Sequence, residues 1–358
     1  PSYVLGGQNM IIAFSDADVS EYMKIILSHM KGNLVLIDKY MMGTELEVDA
    51  ICDGSDVLLP GIMEHIDRAG IHSGDSIAVY PAWNLTPEQT DKIIDYSTRL
   101  ALALKTKGLI NIQYVISEGE IYVIEVNPRS SRTVPYLSKV TGVPMIDIAT
   151  RIMMGESLKS MGYSGGLYPN NAHTAIKVPV FSFEKLAGLD TTLGPEMKST
   201  GEVLGIAPTL HEALYKGLLA AGYHFEHSGG VFITVRDTDK EEAYGLAREF
   251  SDLGFHIYAT EGTANLFREK GLSVTMVHKI HESEHNTISL LESGKINYII
   301  STSAKGRSPR RDSVKLRRKS VELGIPCLTS LDTAKALADI ISLNYTPDKT
   351  TLIDICSI

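Results

Sequence analysis

Gln113, Glu125 and Asn127 are three oxygen donors set in apolar sequence. Gly108-Leu-Ile-Asn-Ile-Gln-Tyr-Val115 carries the first, Ile121-Tyr-Val-Ile-Glu-Val-Asn-Pro-Arg129 carries the other two, and Ser117-Glu118-Gly119-Glu120 joins them. A carboxylate with two amides suits a hard cation such as Mg2+ or Mn2+, ions that commonly also hold nucleotide phosphates. Arg129 and Arg132 follow within one short loop and are suited to a bidentate grip on an anionic substrate. A polar hairpin end with solvated charges accounts for the same residues without any site.

Positioning these donors requires an antiparallel hairpin. Both segments read as apolar strands broken by one glycine-containing turn. With Gly119 at the turn centre, Gln113 lies across from Glu125, and Asn127 shares the face of Glu125. Upstream, Ser15 or Asp16 is placed to cap a helix through Val19 and Met23, and Leu34-Ile37, Glu45-Cys52 and Val57-Met63 read as strands. A helix beginning near Thr86-Pro87-Glu88 leads into the hairpin. That order predicts an antiparallel α+β layer over residues 1–150. Residues 151–224 mix helical stretches with glycine- and proline-rich loops and read as a connector.

From residue 225 the pattern changes to short apolar strands, each followed by a helix-length amphipathic segment: Val231-Val235, Phe255-Tyr258, Val274-Val277, Tyr298-Ile300 and Pro326-Leu328. Such alternation over 225–358 predicts a doubly wound parallel α/β sheet with ligands at the carboxyl ends of its strands. Thr260, Thr263, Lys279, Ser301 and Ser303 fall at or just past such ends and make a phosphate cradle, although ordinary helix capping explains the hydroxyls equally well.

Composition narrows the class. The 358 residues carry a net charge of −9 with scattered Lys and Arg, which argues against nucleic acid or a membrane surface as a partner. Cys52, Cys327 and Cys356 lack CxxC spacing and fit a reducing cytoplasm. No apolar run approaches the roughly 20 residues of a membrane span. The chain opens at Pro1 inside what reads as a strand, which suggests a fragment of a longer protein. Walker and GxGxxG signatures are absent.

Several motifs in order then carry a resemblance: Pro1-Ser-Tyr-Val-Leu-Gly-Gly7, Met63-Glu-His-Ile66, Gly70-Ile-His-Ser-Gly-Asp75, Asn111-Ile-Gln113, Glu125-Val-Asn-Pro-Arg129 and Arg132-Thr-Val-Pro135. Together they resemble the carboxyl-terminal half of the carbamoyl-phosphate synthase large subunit over essentially the whole chain. The resemblance implies a partial ATP-grasp fold followed by a methylglyoxal-synthase-like regulatory domain, and phosphorylation of carbamate by MgATP within pyrimidine and arginine biosynthesis. It implies that Gln113, Glu125 and Asn127 hold the divalent ions, that Glu45 binds the ribose, and that Lys39 and Met41 line the adenine pocket. By the same resemblance Gly70, Ile71, His72 and Ser73 contact the nucleotide, Arg129 and Arg132 lie near the transferred phosphoryl group, and Gly6 and Gly7 form a glycine loop over the phosphates. Lys240, Thr260, Thr263, Lys279, Ser301 and Ser303 match positions that bind UMP or IMP as effector. The implied partners are the amino-terminal half of the large subunit and a glutaminase small subunit, which leaves this chain incomplete by itself. Competing readings are another ATP-grasp ligase or carboxylase and a purely regulatory nucleotide-binding module.

Overall fold

The computed structural model describes residues 5–7, 10–13, 15–29, 35–185, 190–302 and 312–356. Its elements in chain order are α1 (Asp16–His29), β1 (Thr44–Cys52), β2 (Val57–Leu59), β3 (Ile62–Arg68), β4 (Ala78–Tyr80), α2 (Pro87–Ala103), β5 (Gly108–Ser117), β6 (Glu120–Asn127), α3 (Thr133–Thr141) and α4 (Met145–Met153). There follow β7 (Gly166–Leu167), β8 (Thr174–Val180), β9 (Gly201–Ala207), α5 (Leu210–Ala220), β10 (Gly229–Thr234), α6 (Lys240–Asp252), β11 (Phe255–Thr260) and α7 (Glu261–Glu269). The last are β12 (Thr275–Val277), α8 (Thr287–Glu292), β13 (Tyr298–Ser301), α9 (Asp312–Glu322), β14 (Cys327–Leu328) and α10 (Leu331–Ser342).

Two compact units result. One comprises Lys39–Pro179, Glu202–Ala221 and Pro347–Ile358. Its sheet runs β6-β5-β1-β3-β4-β8-β9, with β2 pairing both β1 and β7. Strand β1 lies antiparallel between β3 and β5 and alternates acidic residues with Leu46, Val48 and Ala50. Those apolar residues, with Ile110, Ile112 and Tyr114 of β5, pack on Ile93 and Ala101 of α2. Helix α2 starts where the sequence marks it: Thr86 Oγ1 accepts from Gln89 N and Gln89 Oε1 accepts from Thr86 N, a capping box ahead of Pro87. On the opposite face Ile51, Met63, Ala78, Tyr80 and Leu109 pack on Val134, Leu137, Ile148 and Ile152 of α3 and α4.

Three expectations are modified. Val57-Met63 is two strands, because Pro60-Gly61 interrupts it and Tyr80 fills the space beside Gly61, where a Cβ would lie 2.2 Å from the ring. Leu34-Ile37 yields no strand: residues 35–43 are irregular, and position 34 lies outside the described residues. The segment 151–224, expected as a connector, is divided between the units, and β7, β8 and α5 belong to the antiparallel unit: Leu167 and Ala175 pack in its core, and α5 packs closely on β8 where Gly217 meets Val178.

The second unit comprises Pro1–Asp38, Val180–Gly201 and Gly222–Thr346. Its five strands are parallel in the order β12-β11-β10-β13-β14. Val231, Ile233 and Ile257 face α6, α7 and α10, while Phe232 and Ile299 face α8 and α9. Helices on both faces explain why each strand reads as a continuous apolar run. Residues 190–200 are tied to this unit through Arg317 of α9, 1 % exposed, whose Nε and Nη2 donate to Asp190 at 2.9 and 3.0 Å. Asp190→Ala, which strands that buried guanidinium, is expected to cost about 3–5 kcal/mol in urea unfolding, whereas Asp190→Leu with Arg317→Met costs markedly less.

Candidate active site

The hairpin forms as expected, by a different route. Glu118 (φ 53°) and Gly119 (φ 84°) make a two-residue left-handed turn in which Ser117 pairs with Glu120. Continued without interruption, that register would set Gln113 opposite Ile124. A bulge between Gln113 and Tyr114 restores Gln113 opposite Glu125 and Asn111 opposite Asn127.

Strand β1 adds what the hairpin lacks. Glu47 pairs with Gln113 and Asp49 with Asn111. Glu45, Glu47 and Asp49 therefore share the face of the hairpin donors, and all three are under 5 % exposed. His65 of β3 stands beside them, Nδ1 3.8 Å from Glu45 and Nε2 3.6 Å from Glu47. Asn111 Nδ2 donates to Glu47 Oε1 at 2.8 Å and to Asp49 Oδ1 at 3.1 Å, and Thr133 Oγ1 donates to Asp49 Oδ2 at 2.5 Å. Two further charged side chains, Lys177 of β8 and Glu202 of β9, belong to the same charge network. Residue type and spacing alone do not single out Glu47, Asp49, His65, Lys177 or Glu202 as site residues: His65 lacks a metal-ligand spacing, and Glu202 reads as part of a structural loop. The acidic alternation of Glu45, Glu47 and Asp49 inside a strand was a visible signal for two of them, but Lys177 between Ile176 and Val178 offered none.

Three buried carboxyl groups cannot all ionise freely. Burial pushes Glu45 up to about 7, with His65 opposing it and the neighbouring carboxylates adding to it. Burial and the charge of Glu47 push Asp49 up to about 7 against the hydrogen bonds from Thr133, Ser131 and Asn111. Glu47 itself, despite its burial, is held below the usual range by His65, Lys177 and Asn111. One carboxylate thus stays charged while its neighbours retain protons near neutrality.

The other expected residues fall as follows. Gly70 has φ 116°, and Ile71 bridges to Ala69. His72 Nδ1 accepts from Gly74 N at 3.0 Å, and Ser73 Oγ accepts from Gln113 Nε2 at 3.0 Å, so this loop lies directly against the hairpin face. Asn127 Nδ2 donates to Glu125 Oε1 at 2.8 Å. Arg129 is exposed, with Nη1 on Ser130 O, and Arg132 Nη2 is 4.0 Å from Glu202. Lys39 is exposed and Met41 half-buried on the segment entering β1. Gly6 and Gly7 pack within the other unit, Gly6 O accepting from Met197 N at 2.8 Å.

Does this face suit a divalent ion? Among the described residues no group of three His, Cys, Asp or Glu side chains gathers as a metal cage. The donor set is instead one exposed carboxylate with amides whose N–H ends are already committed: Gln113 to Ser73, Asn127 to Glu125, Asn111 to Glu47 and Asp49. Amide oxygens and one carboxylate fit an ion that keeps waters and phosphates as its remaining ligands, as Mg2+ does.

In the parallel unit the residues expected to bind an effector converge in part. Thr260 occupies the N-cap position of α7, yet its hydroxyl caps nothing and meets Thr234 Oγ1 at 3.2 Å. Ordinary capping therefore does not explain it. Lys240 pairs with Asp237 at 2.7 Å and holds its Nζ 3.1 Å from where a Cβ on Gly262 would lie, at the start of the same helix. Thr263 is buried in the first turn, and the buried Oγ of Ser301, a residue in register with Thr234, has no hydrogen-bond partner among the described residues. Lys279 is exposed just beyond β12, and Ser303 lies outside the described residues.

An antiparallel sheet with a carboxylate and amide face, joined in one chain to a doubly wound parallel domain, defines a multidomain α/β and α+β protein. Residues 1–161 match the family described as carbamoyl-phosphate synthase L chain, ATP binding domain, and residues 242–329 match the MGS-like domain. The chain is 50 % identical over its full length to the carbamoyl phosphate synthase large chain of Agathobacter rectalis, covering 33 % of that protein, and 51 % identical to that of Lachnoclostridium phytofermentans, covering 34 %. Among solved structures, a biotin carboxylase from Campylobacter jejuni in complex with β,γ-ATP aligns with a TM-score of 0.46 at 16 % identity, over 60 % of this chain and 54 % of that one. The chain belongs to the carbamoyl phosphate synthase large-chain family, as its carboxyl-terminal part. It spans about a third of the length of the relatives it matches.

A pH dependence follows from the carboxyl groups. Asp49 binds its proton more tightly folded (about 7) than unfolded (about 3.8), so its contribution to stability is full below pH 4 and is lost as pH rises through 7. The thermal midpoint of the wild type is expected to fall more between pH 5 and pH 8 than that of Asp49→Asn, which differential scanning calorimetry in matched buffers checks.

Proposed function

We propose that this chain carries the carbamate-phosphorylating half-reaction of glutamine-dependent carbamoyl-phosphate synthesis, with ATP as phosphoryl donor and carbamoyl phosphate and ADP as products. The observation that carries this reading is the register of Gln113 with Glu125, which brings the hairpin donors onto the face shared with Glu45 and Glu47.

In this reading Gln113, Glu125 and Asn127 hold Mg2+ or Mn2+, which supplies neutralisation of phosphate charge when bound. Glu45 takes the ribose hydroxyls, Lys39 and Met41 line the base, and the loop Gly70, Ile71, His72 and Ser73 closes against the nucleotide. Arg129 and Arg132 grip the anionic phosphoryl group and carbamate. The carbamate oxygen forms the new bond to the γ-phosphorus as the bond to the ADP oxygen breaks, so the protein need supply neither a covalent nucleophile nor a base. Positioning and charge neutralisation carry most of such a reaction. The amino-terminal half of the large chain and a glutaminase small subunit would furnish carbamate, and the free thiols of Cys52, Cys327 and Cys356 accord with a cytoplasmic setting.

The parallel unit is read as the effector domain, with Lys240, Thr260, Thr263, Lys279, Ser301 and Ser303 taking a nucleotide monophosphate such as UMP or IMP. The Thr260 hydroxyl, which caps no helix N–H, the Ser301 hydroxyl, without a partner among the described residues, and the Lys240 ammonium at the start of α7 support an anion there. No helix among the described residues is long and apolar enough to cross a membrane.

The deciding assay is ATP formation from MgADP and carbamoyl phosphate by the intact natural polypeptide. Glu125→Gln is expected to lower the rate by at least about 100-fold through loss of a metal ligand. A wild type that binds UMP or IMP yet forms no ATP would instead favour a regulatory nucleotide-binding module.

A further inference from the structure

The amide of Gln113 has two chemically different ends, and only its oxygen can ligate a cation. Its terminal torsion is broad and nearly two-fold, so the side chain alone does not choose between them. In the structure Ser73 Oγ accepts from Gln113 Nε2 at 3.0 Å, which leaves Oε1 for the face shared with Glu125. The carbonyl of the same serine accepts from Lys177 Nζ at 2.7 Å. Lys177 is 1 % exposed on β8, separated from β5 in the sheet order by β4, β3 and β1. The turn over Ser73–Asp75, closed by His72 O accepting from Asp75 N at 2.7 Å, thus bridges the sheet face from Lys177 to Gln113.

We propose that Ser73 and Lys177 are positioning residues that aim the oxygen of Gln113 at the bound divalent cation, Lys177 by anchoring the turn and Ser73 by holding the amide nitrogen. This rests on Gln113 and Glu125 being cation ligands. Without the Ser73 hydroxyl the amide is free to turn its NH2 toward the site. Without the Lys177 ammonium a buried carbonyl loses its donor and the turn its anchor.

The test is Mn2+ binding to the intact natural polypeptide in the presence of ADP, with free Mn2+ read by electron paramagnetic resonance, alongside the Mn2+ dependence of ATP formation from ADP and carbamoyl phosphate. Ser73→Ala is expected to weaken Mn2+ binding by about 10-fold or more, the size usual for loss of an outer-shell partner. The Mn2+ concentration for half-maximal activity should rise by the same factor, with most of the rate recovered at saturating Mn2+. Ser73→Thr, which keeps the hydroxyl, should restore wild-type affinity, and Lys177→Met should shift it in the direction of Ser73→Ala. Unchanged Mn2+ affinity in Ser73→Ala, or failure of Ser73→Thr to restore it, overturns the proposal. Glu125→Gln separates the levels: if it binds Mn2+ like the wild type, the ligand reading itself has failed; if it loses Mn2+ while Ser73→Ala does not, only the positioning role has.

Discussion

Placing several carboxyl groups on one buried sheet face is the constraint around which the antiparallel unit is organised. Glu45, Glu47 and Asp49 alternate along β1, so the pleat sends all three the same way. Removing them from water is costly unless each finds a partner or a proton. The surroundings supply both: His65 between Glu45 and Glu47, Asn111 bridging Glu47 and Asp49, Thr133 on Asp49, and the buried Lys177 nearby. The result is a graded face, with Glu47 ionised and its two neighbours poised near neutrality.

The rest of that unit serves this face. Helix α2 fills the opposite side of the sheet, while α3 and α4 cover the end beyond Asp49 with apolar side chains. Strand β6 is the edge of the sheet, which leaves Glu125 and Arg129 open to a ligand while Glu45 and Glu47 remain enclosed. Close backbone approach also matters: β9 meets α5 at Gly205 and Gly217, where a Cβ on Gly205 would lie 2.1 Å from Ala213 O. That contact seats β9, the strand that carries Glu202.

The parallel unit solves a different problem by different means. Its expected effector groups are hydroxyls with Lys240 and Lys279, and among the described residues they form no buried cluster of like charges. Thr234, Thr260 and Ser301 come together because adjacent parallel strands end in register. The topology alone therefore gathers polar side chains at the carboxyl edge, the edge at which doubly wound sheets generally bind ligands.

Much of this was legible in local pattern. The start of α2 near Thr86, the five parallel strands and the presence of a glycine-containing turn between β5 and β6 depend on neighbours in sequence and read correctly from residue type and spacing, although the turn is centred on Glu118-Gly119 and not on Gly119 alone. The hairpin that carries Gln113, Glu125 and Asn127 was legible for the same reason, since it is a local structure. Other features depended on contacts between distant residues. The bulge that sets Gln113 against Glu125, the break at Pro60-Gly61 and the assignment of β7, β8 and α5 to the sheet are decided by packing. Most of all, Lys177 and Ser73 are 104 positions apart in sequence and meet only because β8 joins the sheet. Sequence by itself determined where the hairpin, α2 and the five parallel strands form and that Gln113, Glu125 and Asn127 lie on that hairpin, because propensity and periodicity are local. Tertiary structure alone decided which charges are buried together and which way an amide points, because desolvation and hydrogen-bond direction exist only once the sheet is assembled.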